Sequence, residues 1–196
     1  AVFEIAVGPE DRVWLGTDSQ GLWRSDDDGE HFAFVGYDDK RVVTVAEFPG
    51  DLVMFCYDDE AVYVSDDGGQ SFVRSGEAIE DASPGQPASG VHYYELRQDG
   101  AGAIWLASWE GLVKSEDRGR SWHHVETYLP EAVRDVALTY DAAGNPAAMA
   151  SAFGGGGYLS DPTARSAVPL GFDLAEPYFK RVATSHDYGK DGMAAY

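Results

Sequence analysis

Ser25-Asp26-Asp27-Asp28-Gly29-Glu30-His31-Phe32, Ser65-Asp66-Asp67-Gly68-Gly69-Gln70-Ser71-Phe72 and Ser115-Glu116-Asp117-Arg118-Gly119-Arg120-Ser121-Trp122 are one phrase written three times: Ser-x-Asp-x-Gly-x-x-aromatic. Each copy follows a short apolar run (Gly21-Leu-Trp-Arg, Ala61-Val-Tyr-Val, Gly111-Leu-Val-Lys) and precedes another. The phrase has the chemistry of a tight hairpin turn. Its glycine suits a backbone angle that a side chain would strain, and its serine and aspartate offer acceptors to the turn's own N–H groups.

Repetition sets the architecture. Ser25, Ser65 and Ser115 lie 40 and 50 residues apart, and a degenerate copy at Tyr158-Leu-Ser160-Asp161-Pro162 follows 45 residues later. Periods of this length match one four-stranded blade of a propeller. Each period divides into four short β-rich runs separated by turn residues, such as Phe3-Glu-Ile-Ala-Val, Val13-Trp-Leu-Gly-Thr, Leu22-Trp-Arg and Phe32-Ala-Phe-Val in the first. No segment sustains a helical period.

The phrase resembles the Asp-box, or BNR, repeat of sialidases and of many non-catalytic β-propellers. The expected fold is all-β: a β-propeller of four-stranded antiparallel blades, about four and a half in this chain. Blades are expected over 1–37, 38–76, 90–127 and 131–175, with a half blade over 179–196 and an inter-blade loop over 76–90. An unpaired half blade leaves an exposed sheet edge, so the expectation is part of a ring of six to eight blades. The remainder would come from a missing segment, a second polypeptide or another copy. The resemblance further implies that Ser25, Asp27, Gly29 and Phe32, with Ser65, Asp67, Gly69, Phe72 and Ser115, Asp117, Gly119, Trp122, staple the blades and face away from the ligand side.

Composition narrows the function. The formal charge is −20, from 34 acidic and 14 basic residues, with lysine only at 40, 114, 180 and 190. Nonspecific binding to nucleic acid is excluded, because neutralising phosphates needs basic patches. Self-repulsion of this size is screened at high salt, which suits a salt-adapted or a secreted acidic protein. No run of eighteen apolar residues is present, so no membrane-spanning helix is expected. The N-terminal Ala1-Val-Phe-Glu-Ile-Ala-Val-Gly reads as a strand, not a signal peptide. An extracytoplasmic or cell-surface location is expected, with the cytoplasm of a halophile as the alternative. Cys56, the only cysteine, sits among apolar residues and reads as buried.

The resemblance implies that candidate ligand contacts lie in the loops opposite the phrase: Thr17–Gly21, Tyr37–Arg41, Tyr57–Glu60, Ser108–Gly111, Thr127–Glu131 and Phe153–Gly157. They contribute Tyr57, Asp58, Trp109 and Glu110. Arg41, Arg134 and Arg181 fall near the starts of innermost strands, and arginine suits bidentate grip of a carboxylate. The Phe-Arg-Ile-Pro motif and the Tyr–Glu pair of sialidases are not assignable here, and no residue is nominated as catalytic. No metal-ligand spacing occurs: His123-His124 alternate faces in a strand, and no twelve-residue calcium loop is found. No cofactor is expected, although loop carboxylates are chemically compatible with calcium. The leading expectation is a non-catalytic module that binds protein or glycan. The competing one is a sialidase-like glycoside hydrolase whose catalytic residues lie partly outside this segment.

Overall fold

The computed structural model describes residues 1–39, 41–57, 61–75, 93–109, 111–125, 133–140, 146–152, 156–160 and 167–170. The expected loop at 76–90 and the half blade at 179–196 lie outside them. No helix occurs among the described residues.

Four antiparallel sheets of four strands follow one another along the chain. The first contains β1 (Val2–Val7), β2 (Val13–Thr17), β3 (Leu22–Ser25) and β4 (Ala33–Gly36). The second contains β5 (Val42–Phe48), β6 (Leu52–Tyr57), β7 (Ala61–Ser65) and β8 (Val73–Arg74). The third contains β9 (Tyr93–Gln98), β10 (Ile104–Ser108), β11 (Gly111–Ser115) and β12 (His123–His124). The fourth contains β13 (Val133–Tyr140), β14 (Pro146–Ala152), β15 (Gly157–Ser160) and β16 (Ala167–Leu170). Every sheet is an up-and-down meander in chain order, and the first strands β1, β5, β9 and β13 contact one another in sequence. This is the arrangement of propeller blades around an axis.

The core lies between sheets. One apolar cluster joins sheets one and two through Trp14, Leu22, Val42, Val45, Val53 and Phe55. A second joins two and three through Met54, Cys56, Val62, Leu96, Leu106 and Val113. A third joins three and four through Trp105, Ala107, Leu112, Val136, Ala148 and Ala150. Alternation along each strand therefore feeds two neighbours, which explains central strands such as β10 that are buried throughout. Cys56 is fully buried, and burial pushes its thiol well above the ordinary range, so it packs as an apolar group.

The first strand of every sheet is bulged at the same place. Pairing slips between Val2 and Glu4, between Val42 and Thr44, between Tyr93 and Glu95, and between Val133 and Asp135. The extra residues are Phe3, Val43, Tyr94 and Arg134. A bulge bends its strand and re-aims a side chain, and here it does so four times at one end of the assembly.

Candidate functional site

The sheets have two unlike ends. At one end sit the repeated phrases, which connect third and fourth strands, beside the turns that join first to second strands. At the other lie the bulges and the turns that join second to third strands.

The phrase is a closed hydrogen-bond device. Ser65 Oγ donates to Asp67 Oδ1 at 2.6 Å and accepts from the Gly69 N–H at 2.8 Å. Asp67 Oδ1 also accepts from the N–H groups of Gln70 and Ser71, and its Oδ2 accepts from Ser71 Oγ at 2.6 Å. Ser115, Asp117, Arg120 and Ser121 repeat these bonds. In the first copy Ser25, Asp27 and Gly29 form the same core. His31 stands where the others have serine: its Nδ1–H donates to Asp27 Oδ2 at 2.8 Å. Gly29, Gly69 and Gly119 have φ of 88°, 81° and 79°, in the left-handed region that favours glycine.

These acceptors are satisfied within their own turns, and the charge follows. The Ser25 hydroxyl, with the N–H and ring of His31, holds Asp27 at about 2. Ser65 and Ser71 hold Asp67 lower still. At Asp117 partial burial pushes upward, but the bonds from Ser121, Ser115 and Arg120 outweigh it and leave the carboxyl depressed. Asp27, Glu30 and His31 also bring three donor atoms within 4.8 Å of one another, all on exposed side chains. No metal spacing was legible there, because the grouping uses residues of the phrase itself. The ring's bond to Asp27 duplicates that of Ser71 and Ser121.

The phrase also locks neighbouring sheets. A Cβ placed on Gly69 would lie 2.3 Å from Trp14 of the preceding sheet, and one on Gly119 would lie 2.5 Å from Met54 Cε. Trp14 Nε1 donates to Glu47 Oε2 at 2.6 Å across the interface, and Arg12 Nε donates to Glu47 Oε1 at 2.9 Å. Arg118 and Arg120 of the third sheet both reach Asp66 of the second, at 2.8 and 3.1 Å. Ser75 Oγ accepts from Trp122 Nε1 at 3.1 Å and donates to the Gly119 carbonyl.

The opposite end is chemically mixed. Trp109, in the turn between β10 and β11, is 51% exposed. Arg41 precedes β5 and pairs with Asp18 at 3.5 Å. Thr17 and Ser108 close their turns by donating to the carbonyls of Gly21 and Gly111. Arg134 is exposed at its bulge and lies near enough to Tyr94, the bulged residue of the preceding sheet, to favour the phenolate, while burial dominates and raises the phenol. The position after the bulge is polar in every sheet: Glu4, Thr44, Glu95 and Asp135, the last three buried.

Sequence reading put Arg41 and Arg134 at one level, but they are not equivalent. Arg41 stands before its strand, whereas Arg134 is the bulged residue inside its own. The structure adds Tyr94 and Phe3 to Arg134 as bulge residues, which the sequence did not single out. Tyr57 ends β6, with its side chain outside the described set, and Asp58, Glu110 and Arg181 also lie outside it.

Comparison with solved structures defines the class: this is a β-propeller fold. The structure of YCF48 bound to D1 peptide matches with a TM-score of 0.64 at 15% identity, over 95% of this chain and 57% of that one. YCF48 from Cyanidioschyzon merolae matches at 0.62 and 17% identity, over 92% of this chain and 59% of that one. The Dos1 propeller matches at 0.62 and 16% identity, over 92% and 51%. The chain thus spans little more than half the length of these neighbours, and identities this low establish fold alone. No protein-family model matches the chain, and no curated protein does.

Proposed function

We propose that the chain is a non-catalytic Asp-box β-propeller whose bulged end binds an extended segment of a protein partner. The observation that carries the reading is the division of labour between the two ends. The three regular aspartates at one end are each satisfied by their own turn, while Trp109, Arg134, Tyr94 and Arg41 gather at the other. Exposed aromatic and arginine side chains are the residue types that dominate recognition of partners. The neighbour solved with a bound peptide supports a peptide-like ligand for a propeller of this shape. A ring of six to eight blades, completed outside the four described sheets, fits the 51–59% of neighbour length that this chain spans. An extracytoplasmic or surface setting is in keeping with the −20 charge, and one neighbour is an extracellular domain, matched at a TM-score of 0.64. No helix among the described residues is long and apolar enough to cross a membrane.

The test is an array of extended peptides of varied charge and aromatic content, run beside a panel of fluorogenic glycosides. Saturable binding of a peptide class, weakened in Trp109→Ala at unchanged melting temperature, is expected. Glycoside turnover abolished by replacing a carboxylate at the bulged end would replace this reading with a sialidase-like hydrolase.

A further inference from the structure

The first copy of the repeated phrase differs from its sisters at two adjacent positions. Glu30 and His31 stand where the second copy has Gln70 and Ser71 and the third has Arg120 and Ser121. Each exchange puts a good metal ligand where the sister turns have a poor one. The turn itself is unaltered, because Ser25, Asp27 and Gly29 keep the bonds of the other two copies.

The exchanges bring three donors together. One ligand atom each from Asp27, Glu30 and His31 lies within 4.8 Å of the others. The chain has 34 acidic residues, yet among the described residues no second group of three His, Cys, Asp or Glu side chains converges in this way. Acidity alone therefore does not produce the grouping, and the imidazole sets it apart. Two atoms bound to one zinc ion at about 2.0–2.2 Å lie at most about 4.4 Å apart, so a small rotation of the Glu30 side chain closes the set. Asp27 needs no movement. Its Oδ1 accepts from Ser25 Oγ and the His31 N–H, while its Oδ2 faces His31 Nδ1 at 2.8 Å. Access does not depend on where this turn falls in the chain. Gln70, Ser71, Arg120 and Ser121 are exposed as well, although a preceding sheet packs against each of their turns.

We infer that Asp27, Glu30 and His31 bind a divalent cation of the zinc class. One nitrogen and two carboxylate oxygens suit a borderline ion, whereas calcium takes oxygen ligands alone and in greater number. The ion takes the place of the proton between His31 Nδ1 and Asp27 Oδ2. That proton moves to Nε2, leaving a neutral ring that coordinates through Nδ1. The bonds to Asp27 Oδ1 are untouched, so the turn holds its shape with the ion bound. Three protein ligands leave positions on the ion for water or for a donor from another molecule. The site lies at the phrase end, opposite the proposed peptide surface.

Calorimetric titration of the untagged, metal-free chain with zinc chloride, and with calcium chloride in parallel, tests this. The expected result is zinc bound at this turn at least roughly tenfold more tightly than calcium. His31→Ser and Glu30→Gln each install the residue of a sister turn, so both keep the fold. His31→Ser is expected to weaken zinc binding at least roughly tenfold, and Glu30→Gln to weaken it less. Zinc should raise the melting temperature of the parent and not of His31→Ser, because the ion binds the folded turn. Nuclear magnetic resonance gives a second reading on the unaltered chain, with the His31 ring signals shifting as zinc is added. Zinc binding unchanged in His31→Ser, calcium bound as tightly as zinc, or His31 ring signals that ignore zinc would each overturn the inference. Trp109→Ala binds zinc like the parent, so loss of peptide binding and loss of metal binding separate the two readings.

Discussion

Ser65 and Asp67 hold one turn together, and the same bonds recur at Ser115 and Asp117. Removing such an acceptor strands several N–H donors. Asp117→Ala should lower stability by about 1 kcal/mol, towards the lower end for charge-assisted bonds because water reaches the carboxylate. Thermal melts of the variant would show it. The pH dependence has a definite sign. The carboxyls of Asp27, Asp67 and Asp117 are depressed in the folded state, so their stabilisation is fully present above the ordinary carboxylate range near pH 4. It is lost as pH falls through the folded values, towards about 2 for Asp27. Melting temperature should fall between about pH 4 and 2, more gently in Asp67→Asn, and these groups should contribute no slope between neutral pH and about 5. The turns were legible from sequence because Ser, Asp and Gly each answer a local backbone need. The histidine at 31 was not: its bond to Asp27 emerges only when the ring is seen in the place of Ser71 and Ser121.

Within the blades, the phrase glycines answer two demands at once. A positive φ alone makes a side chain cost about 1–2 kcal/mol. At Gly69 a Cβ also meets the Trp14 ring, whereas at Gly29 it does not. Gly29→Ala should therefore cost about 1–2 kcal/mol, and Gly69→Ala about 1–3 kcal/mol more, the range for overpacking. Denaturant unfolding of the two variants side by side measures the contact between sheets directly. Equal costs would show that Trp14 yields freely. Sequence could count the blades, because strand runs and turn chemistry are local. It could not find this contact, whose partners are more than fifty residues apart. Nor could it find the bulges, since Phe3, Val43, Tyr94 and Arg134 share no residue type. The bulge comes from the path of the first strand, and only pairing register reveals it.

For the whole molecule, the repeat that decides the fold and the surface proposed to carry the function lie at opposite ends of the same strands. The apolar pattern sends one face of each strand to the preceding sheet and one to the next, so stability is spread over three interfaces. That leaves the loops at the bulged end outside this packing, and Trp109 and Arg41 belong to no repeated phrase. Trp109 was legible there as an aromatic in a turn. Tyr94 was hidden as an ordinary strand residue until its bulge came into register with that of Arg134. The most direct test of the account is a titration of a peptide selected on the array against the parent chain, Trp109→Ala and Asp67→Ala, with melting curves for all three. The account predicts that Trp109→Ala loses affinity at an unchanged melting temperature, and that Asp67→Ala keeps its affinity while melting earlier. Affinity lost in Asp67→Ala at an unchanged melting temperature, with Trp109→Ala binding like the parent, would contradict it.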